Sequence, residues 1–227
     1  MNPYYEDDQV TLFYGDCLEV TAWLTADVLV TDPPYGIAHA TRETYGGNMK
    51  GKGAVSQKNV IANDEDTDTR DKVLELWGTK PFIVFGSWRI PRPDPIDSLL
   101  IWHKAGMPPG PTTAAFMTQH EEIYVKGKGF RKSAPPLRSV ITTKEHRPTA
   151  VMEIGHPTPK PIGLMETLVD RCDQGVIADP FAGSGATLIA ARNLGRQAIG
   201  IEYEERYCEL IAKRLSQQAF DLEGLTV

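Results

Sequence analysis

Cysteine is scarce in this chain. Its 227 residues hold three, Cys17, Cys172 and Cys208, far apart from one another. They form no CxxC pair and no metal-ligand spacing, so neither a disulfide framework nor a bound metal is expected, and the setting should be reduced and cytoplasmic. Long apolar runs are also missing. None reaches the roughly 18 residues a membrane-spanning helix requires, so no membrane partner is expected. The first residues, Met1-Asn2-Pro3-Tyr4-Tyr5-Glu6-Asp7-Asp8, are acidic and lack an apolar stretch, so no secretory signal is expected. Internal repeats and low-complexity segments are absent. Positive charge is in deficit overall, with a net charge of −6, which at first argues against a nucleic-acid partner.

The distribution of charge reverses that inference. Residues 126–147 carry Lys126, Lys128, Arg131, Lys132, Arg138, Lys144 and Arg147 against Glu145 alone. Residues 36–62 carry Arg42, Lys50, Lys52 and Lys58 against Glu43. A local basic footprint on an acidic body is one way to bind DNA, with Arg42, Lys50, Lys52, Lys126, Lys128, Arg131 and Lys132 as contacts. A solvated basic surface would look the same.

Short apolar runs alternate with helix-like stretches, the pattern of a largely parallel sheet covered by helices in one domain over 1–227. Strands are expected at Val10–Tyr14, Asp27–Thr31, Phe82–Phe85, Ser98–His103, Glu121–Val125, Val176–Ala178 and Gln197–Ile201. Helices are expected at Asp71–Trp77, Pro161–Cys172, Gly185–Leu194 and Glu204–Gln217, with residues 220–227 frayed. Residues 36–62 read as a long loop contacting DNA, and 126–155 as a short target-recognition region. Loops of such length are uncommon unless functional or mobile.

Two segments carry chemistry. Asp179-Pro180-Phe181-Ala182-Gly183-Ser184-Gly185 follows a strand and opens a helix, and its glycines allow a sharp turn close to a ligand. Glu202 ends the next strand, where a carboxylate can accept both hydroxyls of a ribose. The segment is neither G-x-G-x-x-G nor a P-loop, since Leu188 stands at the third-glycine position and no lysine follows Gly185. A nucleoside-containing cofactor is expected. The second segment, Asp32-Pro33-Pro34-Tyr35, ends a buried strand at the sheet edge where open α/β folds bind ligands. It sets a carboxylate, a rigid carbonyl and an aromatic ring within four residues. The carboxylate and carbonyl can accept both hydrogens of a base amine, and the ring can stack on a base taken out of the duplex. Taken alone, the segment could equally be a rigid turn with Tyr35 as packing.

The order of these motifs resembles the β group of amino-group DNA methyltransferases. D-P-P-Y stands at 32–35, H-P-T-x-K-P at His156–Pro161 and F-x-G-x-G at Phe181–Gly185. Gly15-Asp16-Cys17-Leu18, Phe85-Gly86-Ser87, Leu100–Lys104 and Glu121–Tyr124 are similar to the group's weaker motifs. The resemblance implies a Rossmann-like, circularly permuted methyltransferase fold with seven mostly parallel strands, one of them antiparallel. It implies S-adenosylmethionine as cofactor and direct transfer to the N6 amine of adenine in double-stranded DNA. Asp32, Pro33, Pro34 and Tyr35 would be catalytic. Asp16, Asp32, Thr158, Lys160, Asp179, Phe181, Gly183, Ser184, Gly185, Glu202 and Tyr203 would bind cofactor. His156 is expected to be a turn residue rather than a catalyst.

Cytosine-N4 transfer is the alternative, with serine the commoner first residue of its motif. Asparagine there would point to amide methylation, and a non-catalytic DNA-binding protein could keep the fold. Ring-carbon methylation is not expected, because no cysteine follows a proline. A homodimer is compatible with the sequence, and a companion restriction enzyme would fit a restriction–modification role.

Overall fold

The structure, a computed structural model, describes residues 2–35, 67–106, 116, 118–132, 136–144 and 155–223. The loop expected at 36–62, with Arg42, Lys50 and Lys52, lies outside the described residues, as do 133–135 and 145–154 of the expected target-recognition region.

Among the described residues, nine strands form one sheet in the order β1-β2-β9-β8-β3-β4-β6-β5-β7. They are β1 (Tyr5–Glu6), β2 (Val10–Tyr14), β3 (Val28–Thr31), β4 (Phe82–Gly86), β5 (Ser98–Lys104), β6 (His120–Lys126), β7 (Val140–Thr143), β8 (Ile177–Asp179) and β9 (Ala198–Glu202). The helices are α1 (Asp68–Trp77), α2 (Ile162–Val169), α3 (Ala186–Asn193) and α4 (Glu205–Glu223), with a 3-10 turn at Thr21–Thr25. Among the described residues, no helix is long and apolar enough to cross a membrane.

The expected count of seven strands is corrected to nine. The seven read from the sequence form the contiguous centre, and β1 and β7 extend the two edges. Both β1 and β6 run against the rest, so two strands are antiparallel rather than one. A two-residue strand such as β1 leaves no periodicity to read. β7 is a β-branched run, Val140-Ile141-Thr142-Thr143, that its basic, Pro-containing surroundings disguise as loop. The last helix continues to Glu223, past the point where fraying was expected.

The central strands are buried on both faces, as parallel strands must be when helices cover each side. Val28 and Val30 of β3, with Ile83 and Phe85 of β4, pack towards α2, α3 and α4. Leu29, Phe82 and Val84 point the other way, towards Trp23 and Trp77, whose rings stack at 5.7 Å. This two-sided burial holds the carboxyl ends of β3, β8 and β9 together, so Asp32, Asp179 and Glu202 come to one edge.

The basic stretch 126–132 is not at that edge. Lys126 pairs with Phe82, the first residue of β4, at the opposite end of the sheet. The Gly127 amide donates to Asp97 Oδ2 at 2.7 Å, and the Arg131 guanidinium donates to Asp170 Oδ1 at 2.7 Å. Lys126, Lys128, Arg131 and Lys132 therefore stand about 20 Å, one strand length, from the carboxyl edge. They emerge at the end of the sheet away from Asp32. Charge counted along a sequence does not say at which end of a strand it emerges.

Candidate active site

A cleft of about 310 Å³ opens along the carboxyl edge of the sheet. Its first half is built on the end of β3. Thr31 is buried, and its hydroxyl donates to Asp179 Oδ1 at 2.6 Å, tying β3 to β8. The chain then leaves the sheet through Asp32-Pro33-Pro34-Tyr35, and the two prolines prevent further strand pairing. Tyr35 folds back so that its hydroxyl lies 2.8 Å from Asp32 Oδ1 and 3.1 Å from Glu121 Oε2. One phenol proton cannot serve both acceptors, and the shorter contact identifies Asp32 as the better one.

Lys160 completes this half. Its ammonium donates to Asp32 Oδ2 and lies 3.2 Å from Glu121 Oε2, while Lys104 donates to Glu121 Oε1. The Lys160 nitrogen also sits 5.0 Å from the Phe85 ring centre, 5.6 Å from that of Tyr35 and 5.9 Å from that of Trp102. Ring faces favour a cation at these distances. The result is two carboxylates and two ammoniums in a mostly apolar wall. Burial raises the Asp32 carboxyl, the Lys160 charge only partly offsets this, and the nearby Glu121 adds to the rise. Burial would raise Glu121 as well, but Lys160 and Lys104 outweigh it and hold that carboxyl low. Burial beside both carboxylates pushes the Tyr35 phenol well above its usual range. The two acids thus differ: Glu121 is the fixed anion, and Asp32 is the one poised to take up a proton.

The second half of the cleft is built on the turn between β8 and α3. Gly183 and Gly185 adopt left-handed conformations, with φ of 52° and 79°. A Cβ on Gly185 would also fall 2.9 Å from Ile211 Cγ1, so helix α4 presses the turn against the cleft. Glu202, only 7% exposed, accepts from the Gly183 amide at 2.6 Å and from the Glu204 amide at 2.8 Å. Burial nevertheless pushes its carboxyl up to about 7, because these two bonds only partly replace lost hydration. Asp16 caps its own turn through the Leu18 amide at 2.8 Å, and Tyr203 stands 55% exposed at the rim. A cradle of turn backbone, a carboxylate at the end of β9 and a rim aromatic suits a nucleoside bearing a charged tail.

Of the residues expected to bind cofactor, Asp16, Asp32, Thr158, Phe181, Gly183, Ser184, Glu202 and Tyr203 line the cleft, and Gly185 caps α3 beside it. Two have other engagements. Asp179 is 2% exposed and spends Oδ1 on the Thr31 hydroxyl and the Phe181 amide, so it braces the turn. Lys160 bonds Asp32 on the β3 side rather than the glycine turn. His156 accepts from the Thr158 amide at 3.3 Å through Nδ1 and packs on Tyr207 at 4.7 Å. Burial, with the Lys160, Arg206 and Arg214 charges, lowers it to about 4, so it is a neutral turn residue. Cys17, Cys172 and Cys208 are buried, and burial pushes each thiol up to about 12, which removes them as nucleophiles. Glu121, Lys104 and Trp88 were not expected in the site. The available signal was a charged residue at or next to the end of an apolar strand, as in Glu121, second in β6, and Lys104, last in β5.

A family model described as DNA methylase, of the N6/N4 class, matches residues 133–214. The Type II methyltransferase M2.LlaDCHI of Lactococcus lactis subsp. cremoris is 23% identical, covering 96% of this chain and 93% of the relative. The crystal structure of an M1.HpyAVI–SAM complex superposes with a TM-score of 0.60 at 20% identity, covering 90% of this chain and 99% of the other. PvuII DNA methyltransferase, which is cytosine-N4-specific, superposes with a TM-score of 0.63 at 17% identity, covering 93% and 88%. The fold is that of the methyltransferases, and the chain has Type II methyltransferase relatives over almost its whole length.

Proposed function

We propose that this protein transfers the methyl group of S-adenosylmethionine to the exocyclic N6 amine of adenine in double-stranded DNA. The observation that carries the reading is the pairing, in one cleft, of the Asp32–Tyr35 cluster with the Gly183–Gly185 turn and Glu202. The comparisons support the methyl-transfer class. The motif order also supports a permuted, D-P-P-Y-type arrangement: β3 precedes β8 in the chain, yet the two pair side by side in the sheet.

The cofactor supplies an activated methyl group on a sulfonium, and the glycine turn, Glu202, Asp16 and Tyr203 would hold it. The chain's own residues then act on the amine. Asp32 and the Pro33 carbonyl accept its two hydrogens, which frees the nitrogen lone pair for attack. With the cofactor bound, the sulfonium would supply its methyl carbon to that lone pair and keep the bonding electrons as a thioether, and the amine would release one proton. Asp32 takes that proton, for which burial and Glu121 have already raised it. Tyr35 covers the base with its ring while its hydroxyl holds Asp32 in place.

The test is product analysis. Duplex DNA incubated with labelled cofactor, digested to nucleosides and weighed by mass spectrometry should yield methyl on the adenine amine. Methyl on the cytosine amine would assign the same cleft to the other base, as in the PvuII enzyme. No transfer to DNA would overturn the reading.

Glu202 gives a second expected outcome. Glu202→Ala should weaken cofactor binding by about 1.5–3 kcal/mol, the worth of charge-assisted hydrogen bonds. Because burial holds the carboxyl at about 7, the parent's affinity should fall roughly tenfold from pH 8 to pH 6 as the carboxylate protonates. Calorimetry across that range checks both points. A flat profile in the parent would remove Glu202 from ribose binding.

A further inference from the structure

The loop that follows β4 is held firmly at both ends and leaves one large aromatic outside. At its start, Gly86 lies so close to Tyr124 that a Cβ would fall 2.3 Å from Cε2 of that ring, so only glycine lets the chain pass. Tyr124 donates to Glu122 at 2.7 Å, and Glu122 accepts both Arg92 Nε at 2.9 Å and Arg92 Nη2 at 2.5 Å. Further on, the buried Arg70 donates to the Pro91 carbonyl at 2.9 Å. Between these anchors the Ile90 amide donates to the Ser87 carbonyl at 3.2 Å, which closes a tight turn over Ser87-Trp88-Arg89-Ile90. The turn lines the mouth of the cleft, beside Asp32 and Tyr35. Trp88 is 57% exposed there, with the Arg89 guanidinium 5.5 Å from its ring centre.

An indole left in water on a rigid turn is costly and gains nothing for folding, since its surface is not buried. Its neighbours specify what would cover it. The guanidinium gives the patch a positive charge that suits a phosphate, and the flat ring suits a base. The mouth of the cleft is also where a base must pass to reach Asp32.

We infer that Trp88 and Arg89 form a nucleic-acid grip at the mouth of the cleft, with Trp88 stacking on a nucleobase and Arg89 pairing with a phosphate. This rests on the proposed action on DNA and adds a contact point for it. The pre-organised turn means that little ordering is required when the strand arrives.

The chain offers its own probe. Trp23, Trp77 and Trp102 are buried, at 0%, 2% and 6% exposure, so Trp88 is the tryptophan open to an added strand. A mixed-sequence 30-base-pair duplex titrated into the full chain should quench tryptophan fluorescence in parallel with the anisotropy of a labelled duplex. Trp88→Ala should abolish the quenching and weaken duplex binding about 5- to 150-fold, the loss expected for one base stack. Trp88→Phe should keep most of the affinity. Arg89→Ala should lower the slope of log affinity against log salt by about one. Cofactor affinity should be the same throughout. Parent-like duplex affinity in Trp88→Ala would overturn the grip and leave the methyl-transfer reading standing. A parent chain that neither binds nor methylates duplex DNA would overturn both.

Discussion

Asp32→Ala is expected to lower the rate of methyl transfer roughly 10²–10⁴-fold, the range for loss of a positioned proton acceptor. Cofactor affinity should change little, because Glu202 and the glycine turn lie on the other half of the cleft. The variant should stay folded. Lys160 keeps Glu121 as a partner at 3.2 Å, and Lys104 keeps its own bond to Glu121, so no ammonium is left alone. Single-turnover kinetics with duplex DNA measures the chemical step, and calorimetry measures cofactor binding. Asp32→Asn refines the test: it keeps one acceptor oxygen but cannot take up the released proton, so it should resemble alanine in rate. Near-parent turnover in either variant would remove Asp32 from the chemistry.

The centre of the fold was legible because its signals are local. Apolar runs of strand length gave β2, β3, β4, β8 and β9 within a residue or so at each end, with Gly15, Asp32-Pro33-Pro34, Gly86 and Pro180 marking where the first four stop. Proline and glycine act on the backbone beside them, so a reader needs no tertiary information to see a strand stop. The two edge strands were not legible, since β1 is two residues long and, among the described residues, β7 pairs with β5 alone. Pairing of that kind is set by the neighbour and not by the segment's own pattern.

The same division holds for the site. Asp32, Tyr35, Gly183, Gly185 and Glu202 were readable because each ends or follows a strand of recognisable type. The ion cluster was not. Glu121 and Lys160 stand 39 residues apart in the chain: Glu121 comes near Asp32 because antiparallel β6 starts where β3 ends, and Lys160 reaches both from the segment before α2. Nothing in a one-dimensional pattern carries that coincidence. Lys126 shows the converse, being the other end of the same strand: it is counted in one basic block with Lys144, yet the two emerge at opposite ends of the sheet.

Lys160 should be the most sensitive position for stability. Its side chain is 6% exposed and lies between Asp32 and Glu121, so Lys160→Met removes a buried cation and leaves two carboxylates facing each other. Breaking a buried pair in this way costs about 3–5 kcal/mol, which for a chain of this size lowers the midpoint of thermal unfolding by roughly 6–20 °C. The loss should depend on pH in a definite direction. Without the ammonium, the already raised Asp32 carboxyl rises further, so the folded variant binds a proton that the unfolded chain has released. A group raised in the folded state contributes stability that is complete below its unfolded value and is lost as pH climbs through its folded value. The gap between variant and parent should therefore be widest at the alkaline end of the range and narrow as pH falls, as Asp32 takes up a proton and the Tyr35 hydroxyl becomes free to donate to Glu121. Thermal unfolding followed by circular dichroism from pH 5 to pH 8 checks this. A gap of constant size would mean that Lys160 acts by filling space among Phe85, Tyr35 and Trp102, and that the charge balance around Asp32 is set elsewhere.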